Sequence, residues 1–146
     1  MADPSFVLDL RDLVEQGLIR MGAWVPDGRV RFEDPESRRV WGEIACTIDT
    51  RRPDAPRLDL RYRILRTGER VALPVTLRAS LGSAGRLQWR FLCPLGCGRT
   101  ALRLHLPGGA TRFGCRTCLR PLLRRSEGPP AIRPDVPLPP PSRLPA

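Results

Sequence analysis

The chain contains no lysine: all 25 of its basic residues are arginine. A guanidinium stays protonated, so the formal net charge of +10 is permanent at any ordinary pH. Aromatic residues make up only 5% of the 146 residues, and there is a single histidine. No stretch approaches 18 uninterrupted apolar residues, which excludes a membrane-spanning helix. Met1 to Leu10 carries Asp3 and Asp9 and no early basic cluster, which argues against a secretory signal and for the cytoplasm. A chain of this length has room for about one domain and not for a large buried cleft. With one histidine and no paired-carboxylate motif in its basic part, it offers little for an enzyme, and none is expected.

What is abundant is unevenly placed. Residues 1–56 hold 8 Arg against 11 Asp or Glu, a net of −3. Residues 57–126 hold 15 Arg against two acids, Asp59 and Glu69, a net of +13. Residues 127–146 are neutral. Such asymmetry points to a polyanion partner, although a solvated arginine face gives the same count.

Periodicity predicts a mainly β (α+β) chain: an antiparallel β-meander with one short N-terminal helix, followed by a Cys₄ zinc ribbon. Leu10, Leu13 and Val14 form one helical stripe, with Asp9 as N-cap, Asp12 in the first turn and Gly17 as the stop. A weak strand is expected at residues 29–32. Residues 40–49 alternate, with Val40, Ile44, Cys46 and Ile48 on one face. Residues 58–66 alternate again, with Leu58, Leu60, Tyr62 and Ile64 inward. Thr67-Gly68-Glu69 turns the chain into residues 70–79, where Pro74 demands an edge or a bulge. The expected organisation is a meander over residues 1–80, a small-residue linker at 80–86 opening the ribbon of residues 81–126, and a disordered tail at 127–146. That tail holds 8 of the 17 prolines and no periodic apolar pattern.

The chemistry-bearing motif is CPLGC at 93–97 with CRTC at 115–118. Two short cysteine pairs separated by a hairpin-sized insert are the pattern of a structural Zn²⁺ site. Cys93, Cys97, Cys115 and Cys118 are the expected ligands. Four thiolates close the tetrahedral shell and leave no open position for catalysis. Pro94, Gly96 and Gly98 supply the tight turn that lets one pair reach one ion. Cys46, on the apolar face of its strand, reads as a core cysteine.

Between the cysteine pairs the strands LQWRFL, RTALRLHLP and ATRFG alternate. Paired in register, they give an apolar face of Trp89, Phe91, Leu102, Leu104, Leu106 and Phe113. The opposite face carries Arg90, Arg103, Arg112 and His105, with Arg99, Arg116 and Arg120 near the knuckles. The apolar face has to pack on the meander or on a partner. The arginines Arg90, Arg99, Arg103, Arg112, Arg116 and Arg120 are the candidate contacts to nucleic acid, DNA or RNA, because their forked donors suit phosphate oxygens. The alternative is a protein-interaction adaptor, docking a protein partner through the apolar ribbon face or the proline-rich tail.

The run QWRFLCPLGCGRTALRLHLPGGATRFGCRTC resembles the core of a family of small, functionally uncharacterised zinc-ribbon proteins of bacteria and phages. The shared pattern is aromatic-x-Phe, Cys-Pro, Cys-Gly-Arg, Leu-Pro and Phe-x-Cys-Arg-x-Cys. The resemblance implies a zinc ribbon and an association with mobile elements, and it implies no established activity. Leu119, Arg120, Pro121 and Leu122 stand where that family often has His-Gly and an aromatic.

Overall fold

The computed structural model describes residues 5–34, 36–125 and 128–135. Its elements are β1 (Ser5–Asp9), α1 (Leu10–Glu15), β2 (Trp24–Glu33), β3 (Val40–Asp49), β4 (Arg57–Ile64) and β5 (Arg70–Leu81). After these come β6 (Leu87–Leu92), β7 (Thr100–Ala101), β8 (Arg103–Pro107), α2 (Arg116–Arg125) and β9 (Ile132–Pro134). The chain is mainly β, and every strand pairing is antiparallel. One sheet runs β2-β3-β4-β5-β6-β7, β9 adds to β4, and β1 with β8 forms a separate pair.

Alternation builds the central strands. Along β4 the residues Leu58, Leu60, Tyr62 and Ile64 are buried while their neighbours are not. Ile44, Cys46 and Ile48 do the same on β3. Val40, expected on that face, is exposed, because the register slips between Phe32 and Glu33 and carries it beyond the core edge. β2 is also longer than the weak strand expected at 29–32, extended by its pairing with β3. Pro74 lies in the half of β5 that pairs only with β4, so its missing N–H disrupts no second ladder.

Asp9 caps α1, accepting the Arg11 backbone N–H at 2.9 Å, and Gly17 ends it at φ 76°. Ser5 to Asp9, given no strand from sequence, form β1. There Phe6 faces Leu106 and Leu8 faces Leu104 across the β1–β8 ladder.

Three further expectations are corrected in the C-terminal half. Of the segment at 80–86, Ser80 and Leu81 end β5, and residues 82–86 turn the β5–β6 hairpin, closed by Gly82 N–H to Arg86 O at 2.8 Å. The three ribbon strands do not pair in register. β7 pairs with β6, the chain changes partner at Leu102, and β8 pairs with β1. Leu102 is therefore exposed while Leu104 and Leu106 are fully buried. Finally, residues 128–135 of the segment expected to be disordered carry a strand: Ile132 is buried, and β9 pairs with Tyr62 to Ile64. Residues 136–146 of that segment lie outside the described residues.

Trp89, Phe91, Leu104, Leu106 and Phe113 join Phe6, Phe32 and the β3–β5 side chains in one hydrophobic cluster. Apart from Leu102, the residues expected on the apolar ribbon face thus pack with the meander, one of the two outcomes their exposure cost required.

Candidate metal centre and the arginines around it

Strand β6 delivers Cys93 directly after Leu92, and β7 returns beside it, so CPLGCGR forms the tip of a hairpin. Cys93 N–H donates to Arg99 O at 2.9 Å across that tip. Gly96 and Gly98 take φ of 85° and 78°, conformations that a residue with a Cβ reaches only with strain. The second pair comes from a different element. Residue 114 bridges back to His105, Cys115 follows, and Cys118 lies in the first turn of α2. A strand-borne second knuckle, as a ribbon would have it, is replaced by a helix start. Leu119, Leu122 and Leu123 stand at i, i+3 and i+4 and pack toward the core, a signal for this helix that Pro121 obscured.

The four sulfur atoms lie within 4.8 Å of one another. Cys93 Sγ is 4.0 Å from Cys118 Sγ, and Cys97 Sγ is 3.7 Å from Cys115 Sγ. A tetrahedral ion with metal–sulfur bonds near 2.3 Å sets its ligands about 3.8 Å apart, so the donor set fits such an ion with little adjustment. Backbone N–H groups already face two sulfurs: Cys115 N–H donates to Cys93 at 3.4 Å, and Arg99 N–H to Cys97 at 3.5 Å. The Arg99 N–H is the main cause that holds the Cys97 thiol down to about 6. Burial first, and then the neighbouring thiols, push Cys118 up to about 12. Burial likewise raises Cys93. Crowded thiols without a cation resist sharing negative charge, and a dication at their centre reverses that preference. Cys46 takes no part: it is fully buried in β3, and burial pushes its thiol up to about 11.

Leu95, between Cys93 and Cys97, lays its side chain against Gly114, the residue before Cys115. A Cβ on Gly114 would stand 2.3 Å from Leu95 Cδ1 and 2.9 Å from its Cγ. Gly114→Ala is therefore expected to displace Leu95, and with it the loop between Cys93 and Cys97, and to cost about 1–3 kcal/mol by overpacking. Urea denaturation would register the loss, and competition with a chromogenic chelator would register weaker metal retention.

All six candidate nucleic-acid arginines are exposed, but they do not form one face. Arg99, Arg103 and Arg116 line a shallow depression of about 520 Å³ beside Cys115, together with Arg11. A second depression, sharing His105 and Arg116 with the first, adds Arg120 and Arg124. Arg90 lines a third, which shares Arg11 and Leu102 with the first. Arg112 lies elsewhere, near Glu69, Arg70 and Pro94, because its segment turns back toward Gly114 instead of pairing as a ribbon strand. Arg11 was not among the expected contacts: it belongs to the acidic N-terminal part and arrives through the β1–β8 pairing. Asp9 ties it in, pairing with Arg11 at 3.4 Å and with Arg103 at 3.1 Å. Burial works against the charge on Asp9, but its bonds from Arg11 and Arg103 outweigh this and lower its pKa. His105, half-buried, has Nδ1 3.4 Å from Ser5 Oγ.

Comparison with protein-family models, curated proteins and solved structures finds no match to this chain.

Proposed function

We propose that the chain is a non-catalytic zinc protein that binds nucleic acid through the arginines arrayed around its cysteine centre. Zn²⁺ is the ion that four cysteine thiolates favour, and its closed shell gives it a structural role. In this reading the chain belongs with the small zinc-ribbon proteins of bacteria and phages that its cysteine segment resembles, and acts alongside mobile elements in the cytoplasm. The observation that carries the reading is the pair of adjoining depressions holding Arg99, Arg103, Arg116, Arg120 and Arg124, with no carboxylate among the described residues of either lining. Phosphate contacts of this kind give binding that tolerates sequence and falls steeply with salt.

Fluorescence anisotropy with a labelled oligonucleotide, titrated at several salt concentrations, tests it. Arg99→Glu with Arg116→Glu is expected to weaken binding by about tenfold or more at low salt, since two phosphate contacts become repulsions. Arg112→Glu, which changes net charge at a distant place, is expected to stay within about twofold on the same grounds. Equal losses in the two variants, or affinity indifferent to salt, would overturn the reading.

A second reading, the protein adaptor, has a narrower footing. Of the apolar ribbon face only Leu102 stays exposed, and with Val14 and Leu87 it lines a small depression between α1 and β6. That depression, rimmed by Arg11, Glu15 and Arg90, is where a partner would dock.

A further inference from the structure

All eight aromatic residues of the chain lie among the described residues, and their placement bears on what kind of nucleic acid the arginines can hold. Phe6, Phe32, Tyr62, Phe91 and Phe113 are buried in the core, and Trp89, which lines the depression of Arg90, shows only 6% of its surface there. Trp41 is half-buried edge-on against Phe6. Trp24 is exposed, but Arg51 sits 4.3 Å above its ring, and it lines none of the arginine depressions. No aromatic face is therefore open where the arginines gather. Proteins that hold single strands supplement backbone charge with aromatic platforms on which unstacked bases lie. That device is missing here.

What remains is charge in an ordered array. Arg116, Arg120 and Arg124 recur every fourth residue along α2, about 6 Å apart along its axis. Arg99 shares the first depression with Arg116, and Arg90 lies beyond Leu102. Among the described residues these five make no ion pair, whereas Arg11 and Arg103 are partly neutralised by Asp9. Such an array gains more from a denser polyanion, and double-stranded DNA carries one charge per about 1.7 Å of axis, twice the density of either of its strands along that axis. The sequence contains no asparagine, and no glutamine lines the two depressions along α2, so the side chains that read adenine are missing there too.

We infer that this surface takes the phosphate backbone of duplex DNA, without regard to sequence, in preference to single strands. The inference rests on the nucleic-acid reading above. The test uses the full metal-loaded chain and compares a 20-base-pair duplex, each separated strand, and polyglutamate in the same titration. The expected result is duplex binding at least about tenfold tighter than either strand, with log K falling against log salt at a slope of about −4 to −5 for five phosphate contacts. Duplexes of different base composition should agree within about threefold, and Arg120→Gln should reduce the slope by about one. Single strands binding as tightly as the duplex would overturn the inference while leaving the nucleic-acid reading intact. Polyglutamate binding as tightly as the duplex, or no binding to either form of DNA, would overturn both.

Discussion

Replacing Cys115 by Ser is expected to abolish metal binding and to melt the C-terminal half of the protein. Cys115 is buried at 4% exposure, between Phe113 and the start of α2, and its own N–H donates to Cys93. The residue therefore ties the hairpin tip to the helix by two routes, its N–H to Cys93 and its sulfur beside that of Cys97. Structural zinc contributes about 10–16 kcal/mol in small metal-dependent folds. A domain's whole margin is about 5–15 kcal/mol, so losing one ligand removes an amount comparable to the total. Helix α2, with ten residues and Pro121 in its interior, has no means of persisting alone. Metal analysis by mass spectrometry should find the ion in the parent chain and none in Cys115→Ser, with the thermal midpoint falling sharply or the transition vanishing. Strong chelation of the parent should reproduce the effect. Cys46→Ala, which removes a thiol outside the cluster, should keep its metal. A Cys115→Ser protein that retains both metal and midpoint would show that the cysteines hold no structural ion.

The second large effect is expected at Phe113. Its ring stands edge-on to Tyr62 at 5.7 Å between centroids and stacks with Phe32 at 6.1 Å. Tyr62 also donates its hydroxyl to Thr111 O at 2.5 Å. These contacts join the segment just before the second cysteine pair to strands β2 and β4. Phe113→Ala opens a cavity at that joint and should cost about 3–5 kcal/mol. Tyr62→Phe removes one hydrogen bond but keeps the ring, and should cost about 1 kcal/mol. Urea unfolding of the metal-loaded protein separates the two. A loss below about 1 kcal/mol for Phe113→Ala would mean that the cysteine segment packs independently of the sheet.

The cysteine centre was legible from sequence because metal ligation leaves a local trace: two short-spaced pairs and turn glycines within a hairpin-sized span. The central strands were legible for a similar reason, since β4 buries one face and exposes the other, residue by residue. Helix α2 was less legible, because its Leu119, Leu122 and Leu123 stripe spans barely one turn and is broken by Pro121. The pairing of β1 with β8 left no trace at all, since its partners stand about a hundred residues apart.

The scarcity of aromatics and the all-arginine charge were properties of the chain before it folded, and so were the two short-spaced cysteine pairs and the periods of most strands. These depend on composition and on neighbours within a few positions. Which arginines stand together was decided only by tertiary structure. The β1–β8 ladder brings Arg11 of the acidic part beside Arg103, the helix start at Cys115 carries Arg116 and Arg120 to the same place, and the turn before Gly114 sends Arg112 away. The burial of the few aromatic rings was settled in the same step. A hydrophobic core gathers apolar side chains without regard to sequence distance, and the charged side chains are carried to wherever that gathering leaves them.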